Sequence, residues 1–221
     1  MTSRLVIAID GPAGSGKSTV ARRLAERLRL AHLDTGAMYR ALTLKALRGG
    51  VPLDDEEALA RLAGDTTIEV DGDRVVLDGQ DVTGEVRTPP VTASVSQLSV
   101  HPQVRAAMVR RQREHVRETG AVVEGRDIGT VVLPDADLKV FLTASPEERA
   151  RRRAADLRAD GVEVEESEVL REITARDRRD SRRADSPLRA AEGAAVIDST
   201  GRDVRSVIEE IERLARDVAA R

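Results

Sequence analysis

The chain has no cysteine and no tryptophan, and Tyr39 and Phe141 are its only aromatic residues. Without cysteine, disulfides and thiolate metal sites are excluded, and any redox compartment is compatible. With aromatics so scarce, the core must be built from Leu, Val, Ile and Ala. Stacking of bases on aromatic side chains, a common grip on single-stranded nucleic acid, has no material. Lysine is scarce as well: among 36 Lys+Arg, only Lys17, Lys45 and Lys139 are lysines. No apolar run approaches the roughly 18 residues that cross a bilayer. No signal-peptide pattern precedes the first apolar run, so a cytoplasmic protein is expected. His32, His101 and His115 are scattered and lack metal-ligand spacing. A net charge of −3, with 34% charged residues, implies solubility and no global attraction to nucleic acid or anionic membrane. Neither is expected as a partner, and a monomer is the expectation. The 221 residues fit one domain with room for a small insert, and 40% hydrophobic residues suffice for a core.

What is present is most specific at residues 11–18, Gly-Pro-Ala-Gly-Ser-Gly-Lys-Ser, directly after the apolar run Leu5–Ile9. This is the G-x-x-x-x-G-K-[ST] phosphate-binding pattern, placed between a predicted strand and a predicted helix over Ser18–Leu30. Glycines at 11, 14 and 16 let backbone N–H groups converge on phosphate oxygens without Cβ clashes. The helix N-terminus adds partial positive charge. The pattern assigns Lys17 to the β/γ-phosphates of a nucleoside triphosphate and the Ser18 hydroxyl to Mg²⁺. A lysine here, in a chain so biased toward arginine, fits a loop that needs a slim point charge instead of a planar fork.

Short apolar runs predict strands at Leu5–Asp10, Ala31–Leu33, Ala121–Glu124, Leu138–Leu142 and Ala194–Ile197. Helical patterns separate them at Ser18–Leu30, Ala37–Arg48, Val104–Glu118, Pro146–Asp160, Glu168–Arg178 and Val204–Ala219. This alternation implies an α/β fold whose parallel sheet is covered on both faces, with ligands at the carboxyl ends of the strands. One segment breaks the rhythm. Thr67–Val70, Arg74–Leu77 and Gln80–Thr83 read as short strands joined by Asp71-Gly72-Asp73 and Asp78-Gly79, which are turn chemistry. They predict a small antiparallel insert over about residues 63–100. Residues 146–187 form a second irregular region, rich in arginine. It reads either as solvated helices laced with i,i+4 ion pairs or as a mobile lid closing over triphosphate.

Three further constellations lie at strand ends or on one helix. Asp34-Thr35-Gly36-Ala37-Met38-Tyr39-Arg40 follows the second strand, with Asp34 or Thr35 as N-cap and Arg40 able to point back one turn. Glu124-Gly125-Arg126-Asp127 ends the third strand, at the edge where ligands of such sheets bind. Arg176, Asp180 and Arg183 share a helical face by spacing. They read equally as a surface ladder or as a holder for a ribose. The whole set suits phosphoryl transfer from a nucleotide, which depends on positioning, a metal and cations that spread charge.

At this level of detail the chain resembles the bacterial cytidylate kinase family. The resemblance rests on Ile9–Ser18, Asp34–Arg40, Gly125-Arg126-Asp127-Ile128-Gly129-Thr130-Val131-Val132, Pro134-Asp135-Ala136, Glu147-Glu148-Arg149-Ala150 and Arg176-Asp177, and runs from Ile9 to the last helix. It implies a three-layer P-loop NTPase fold with a five-stranded parallel sheet, a small antiparallel insert and a helical lid. The implied single kinase domain has a core at about 1–62, 101–145 and 188–221, an acceptor-binding insert at about 63–100 and a lid at about 146–187. The insert argues against the adenylate and shikimate kinase branches. The implied reaction is Mg²⁺-dependent phosphoryl transfer from ATP to CMP or dCMP. Alternatives are another small-acceptor kinase of UMP or shikimate type, or a P-loop ATPase or switch; no Asn-Lys-x-Asp run supports the switch.

The resemblance also implies site residues. ATP falls to Gly11, Pro12, Ala13, Gly14, Ser15, Gly16, Lys17, Ser18 and Thr19, with Arg149, Arg152 and Arg153 from the lid. Cytosine falls to Ser96, Arg105 and Asp127, the acceptor phosphate to Arg40, Arg126 and Arg183, and the ribose to Tyr39, Arg176 and Asp180. Thr35 joins the CMP set. Lys17, Arg126 and Arg183 are the implied catalytic residues, and Ser18 the metal ligand. Glu124 has no implied role.

Overall fold

The computed structural model describes residues 5–116, 120–159, 161–183 and 186–220. Strand β1, Val6–Asp10, is buried on both faces, as an interior strand of a parallel sheet must be. It leads through the phosphate loop into α1, Lys17–Leu28, whose stripe Val20, Ala21, Leu24 and Ala25 is buried. Strand β2, Ala31–Asp34, precedes α2, Thr35–Arg48, and α3, Glu56–Gly64. Strands β3 (Ile68–Asp71), β4 (Arg74–Leu77) and β5 (Gln80–Asp81) follow, then α4 (Pro89–Leu98) and α5 (Pro102–Val116). Strand β6, Ala121–Gly125, runs into a π-helical turn at Ile128–Val132. The chain ends with β7 (Leu138–Thr143), α6 (Pro146–Ala159), α7 (Glu166–Ser181), β8 (Ala195–Asp198) and α8 (Val204–Ala219).

By compactness the chain divides into two units, residues 1–31 with 120–221, and residues 32–119. The five-stranded sheet has the order β2-β6-β1-β7-β8. Strand β1 pairs in parallel with β6 and β7, and β7 with β8. In this register Asp10 stands opposite Gly125 on one side and Phe141 on the other. The phosphate loop and the Arg126-Asp127 block therefore leave neighbouring strands at the same level. One core joins the buried faces of α1 and α8 to β1, β7 and β8 through Ile7, Ile9, Leu24, Leu142, Ile197 and Ile211. Helix α8 owes its place to a strongly amphipathic sequence and to Asp203, whose carboxylate accepts from the Ser206 amide as N-cap. A separate small core ties α6 to α7 through Ala150, Ala154, Val169 and Ile173.

In the other unit, β3, β4 and β5 form an antiparallel meander. Asp78 and Gly79, with φ of 49° and 80°, make the turn between β4 and β5 with both central residues left-handed, as the tightest hairpin turn requires. The Asp78 carboxylate stabilises this turn by accepting from the Thr67 amide and pairing with Lys45 Nζ at 2.7 Å. This compact unit takes in α2 and α5 as well as the segment 63–100.

The five strands and the alternating helices lie where the apolar runs predict, within a few residues. Residues 117–118 of the predicted 104–118 helix and Asp160 of the predicted 146–160 helix fall outside the described residues. Strand β5 stops at Asp81 instead of Thr83, because the Asp81 carboxylate accepts from the Thr83 amide and hydroxyl and turns the chain. Two helices were not expected from sequence. Helix α3 is only nine residues long, capped by Asp55, which accepts from the Ala58 amide. Helix α4 opens on Pro89-Pro90, which reads as a breaker. At the first turn of a helix, however, proline removes only amides that have no intrahelical partner.

Candidate active site

The phosphate loop is shaped by three glycines with positive φ: Gly11 at 153°, Gly14 at 76° and Gly16 at 88°. A Cβ on Gly11 would stand 2.0 Å from the Leu142 carbonyl oxygen, and one on Gly14 3.0 Å from that of Arg149. The loop thus lies directly on the backbones of β7 and α6. Ser15 Oγ donates to Pro12 O at 3.0 Å. Lys17 is buried, and its Nζ donates to Pro12 O at 2.7 Å and lies 3.4 Å from Ser15 Oγ. Burial, with the nearby Arg126 and Arg176 guanidinium groups, pushes the Lys17 ammonium well below its usual range against the pull of Glu124 and Asp10. Lys17 thus stands among acids and arginines of the same unit.

Ser18 Oγ donates to Glu124 Oε2 at 2.8 Å. Glu124 is buried at the end of β6, one residue before the Gly-Arg-Asp block. Its location gives it a partner in the phosphate loop that the sequence left open. Among the described residues no cluster of three or more His, Cys, Asp or Glu forms a metal site. The hydroxyl–carboxylate pair is nonetheless a hard-oxygen donor set. It suits a small divalent cation that keeps most of its waters and takes the rest of its ligands from phosphates.

The carboxylate of Asp10 is buried and accepts from the amides of Ile128 at 2.7 Å and Gly129 at 2.8 Å. Burial pushes its pKa up to about 6, while those two amides hold it down. The π-helical turn it caps is closed by Val132 N donating to Asp127 O and Leu133 N to Ile128 O. Single π turns of this kind recur at functional sites. Asp127 is the buried residue that opens this turn. Asp10 is part of the strand–loop motif, but a single acid at a strand end carries no signal that its partner lies 118 residues away.

Arg126 Nε donates to Asp180 Oδ2 at 3.2 Å, and Arg183 Nη2 to Asp180 Oδ1 at 2.6 Å. The carboxylate is 1% exposed. Of the set read from spacing, Asp180 and Arg183 are thus paired, and Arg126, in the segment after β6, is a further cation on the same carboxylate. Helix α7 ends at Ser181, so Arg183 reaches Asp180 from beyond the helix and not along its face. Arg176 lies on α7, half-buried.

The α6 arginines differ among themselves. Arg152 donates to Glu148 Oε1 and to both the hydroxyl and the carbonyl of Ser199. Ser199 Oγ in turn donates to Ser15 O of the loop at 3.2 Å. Arg149 is buried against Ala13, Ala144 and Asp177. Arg153 is half-buried. Ser199, in the turn after β8, had no sequence signal at all.

In the unit of residues 32–119, Asp34 is the N-cap of α2, accepting from the Ala37 amide at 2.9 Å. Its second oxygen pairs with Arg40 Nη2 at 2.8 Å. Burial works to raise the Asp34 pKa, but Arg40 and the Ala37 amide hold it below the usual carboxylate range. Gly36 makes room for this pair, since a Cβ there would stand 3.0 Å from both Asp34 Oδ1 and Arg40 Nη1. Arg40 thus points back over its own N-cap, with Thr35 buried and Tyr39 half-buried on the same helix. Arg105 is buried at the start of α5 and reaches Ser99 O at 3.5 Å, across the turn after Ser96 on α4.

The family model for cytidylate kinase matches residues 7–217. Among the similar proteins is the cytidylate kinase of Caldanaerobacter subterraneus subsp. tengcongensis, 53% identical over 205 residues, covering 93% of this chain and 92% of its own. The cytidylate kinase of Symbiobacterium thermophilum is 52% identical over 220 residues, covering 97% of both. Among solved structures, a gluconokinase from Sinorhizobium meliloti 1021 shares the fold, with a TM-score of 0.51 at 16% identity over 98% of this chain and 96% of its own.

Proposed function

The chain belongs to the cytidylate kinase family, and on that premise we propose how its residues divide the transfer of a phosphoryl group from ATP to CMP or dCMP. The carrying observation is the register Asp10 to Gly125, by which the donor loop and the Arg126-Asp127 block leave adjacent strands side by side. ATP is cradled by the backbone amides of residues 11–16, by Lys17, Ser18 and Thr19, and by arginines of α6. The residues assigned to CMP in this reading are Thr35, Tyr39, Arg40, Ser96, Arg105, Arg126, Asp127, Arg176, Asp180 and Arg183.

Cytosine presents an amino donor at N4 and acceptors at O2 and N3. A carboxylate such as Asp127 and a hydroxyl such as Ser96 accept from N4, and Arg105 donates to the acceptors. Uracil would turn a carbonyl toward the carboxylate, a buried mismatch that is heavily penalised. The acceptor oxygen of CMP is already anionic, so no general base is needed. Lys17, Arg126 and Arg183 spread the charge of the transferring group. Ser18, with Glu124 accepting its hydroxyl proton or meeting bound water, would hold Mg²⁺. When bound, that ion neutralises charge shared by the β- and γ-phosphates. The protein works as a cytoplasmic monomer in this reading.

The test is turnover with ATP against CMP, dCMP, UMP, AMP and shikimate, for the wild type and Asp127→Ala. CMP and dCMP are expected to be the best acceptors, and Asp127→Ala to harm CMP use more than ATP binding. Faster turnover of UMP or AMP than CMP overturns the reading. ATP consumption independent of any acceptor replaces it with an ATPase.

A further inference from the structure

Arg149 belongs to a motif that the family resemblance assigns to ATP, yet its guanidinium is committed to the protein on three sides. Nε donates to Ala144 O at 3.0 Å, Nη1 to Ala13 O of the phosphate loop at 3.1 Å, and Nη2 pairs with Asp177 Oδ2 of α7 at 2.7 Å. The side chain is 4% exposed. The loop also rests on its backbone, since a Cβ at Gly14 would meet the Arg149 carbonyl at 3.0 Å and its Cβ at 3.1 Å. Asp177 depends on this contact, because its other oxygen, Oδ1, is buried without a hydrogen-bond partner. By contrast, Arg152 Nη1 lies only 3.6 Å from where a Cβ on Gly16 would stand, at the loop's other end.

We propose that Arg149 is a positioning residue that braces the phosphate loop against α7, so that one guanidinium keeps the ATP loop in register with the helix carrying Arg176 and Asp180. A planar fork can serve three oxygens in fixed directions at once, and an ammonium cannot. Asp177 lies next to Arg176 and three residues before Asp180. Any shift of α7 that follows loss of the Arg149 contact therefore moves the carboxylate that holds Arg126 and Arg183. Removing Asp177 leaves the buried Arg149 guanidinium without its anion, and removing Arg149 takes away the contacts on both the loop and the helix, so the two must rearrange. The CMP arm of this inference rests on the assignment of Arg176 and Asp180 to the acceptor; the ATP arm does not.

The experiment measures steady-state KM for ATP and for CMP in the full chain, for Arg149→Met, Asp177→Asn, their double variant and Arg149→Lys. Both single variants are expected to raise both KM values roughly tenfold, and the double variant to be no worse than the worse single, as for two groups in direct contact. Arg149→Lys is expected to rescue little. If Arg149→Met does not fold, Asp177→Asn and Arg149→Lys carry the same expectation. A raised ATP KM in Arg149→Met, with Asp177→Asn at wild-type values, makes Arg149 an ATP ligand and overturns the proposal. Additive losses, or a lowered melting temperature with both KM values unchanged, also overturn it. Non-additive loss confined to ATP supports the brace on the loop and overturns the assignment of α7 to CMP.

Discussion

In the phosphate loop the donors are backbone amides whose directions are set by Gly11, Gly14 and Gly16. At Arg126 and Arg183 they are guanidinium N–H groups whose directions are set by one buried carboxylate, that of Asp180. The first arrangement is steric. It works because Cβ atoms are missing at Gly11 and Gly14, where the Leu142 and Arg149 carbonyls of β7 and α6 fill the space, and because Gly16 adopts a positive φ. The second is electrostatic: two cations that would repel each other are held together by one anion with almost no access to water. A steric site fails abruptly when filled, whereas an electrostatic one weakens by the energy of the interaction removed.

The largest effect is expected from Gly11→Ala. The new Cβ would overlap Leu142 O at 2.0 Å, and a carbonyl of β7, an interior strand, cannot yield without disturbing its pairing with β1 and β8. The loop must move instead. A displacement of about 1 Å in a positioning element costs on the order of 10²-fold in rate. We expect at least that loss in kcat/KM for ATP, measured by coupled assay with saturating CMP. Near-wild-type kinetics would show that the loop is not sterically fixed, and the contrast with the arginine cluster would collapse.

Asp180→Asn is expected to act next most strongly, and differently. The amide keeps the shape but leaves Arg126 and Arg183 without their shared anion. Breaking a buried pair in this way typically costs 3–5 kcal/mol. Arg126 is one-fifth exposed and keeps some hydration, which puts the expectation near the low end, about 3 kcal/mol in chemical denaturation. KM for CMP should rise while KM for ATP changes little. An unchanged denaturation midpoint would mean that the carboxylate does not organise the two arginines.

This contrast also explains what was legible in the sequence. A steric site is local: eight consecutive residues carry the phosphate loop, and a strand before and a helix after confirm it. The alternating apolar runs likewise predict the parallel sheet, because burial on both faces leaves continuous Val, Ile and Ala. The electrostatic site is assembled from distant segments. Spacing placed Arg176, Asp180 and Arg183 on one face, but it gave no sign that the Asp180 carboxylate also pairs with Arg126, 54 residues away. The contacts of Glu124, Ser199 and Asp177 were hidden for the same reason, since each has its partner on another element. Helix α4 was missed because its two prolines lie at the helix start, where their missing amides cost nothing.

Asp10 belongs to both regions, and its titration is the finest probe of how they join. Its backbone leads into Gly11, while its side chain caps the turn that follows Arg126-Asp127. Burial raises its pKa in the folded chain from 3.8 to about 6. Between about pH 4 and 6 the folded state therefore binds more protons at this site than the unfolded state, and the Asp10 contribution to stability falls as pH rises through that window. At about 1.4 kcal/mol per pKa unit, the total is at most about 3 kcal/mol. Carboxylates held low by arginines work in the opposite sense at lower pH, as Asp34 does, and would mask the trend in the wild type alone. The measurement is thus the difference in denaturation free energy between wild type and Asp10→Asn, from pH 4 to 8. It should move against the wild type up to about pH 6 and be flat above pH 7. A difference that moves in favour of the wild type over the same range would mean that the two amides outweigh burial. The charged carboxylate would then stabilise the junction between loop and turn instead of straining it.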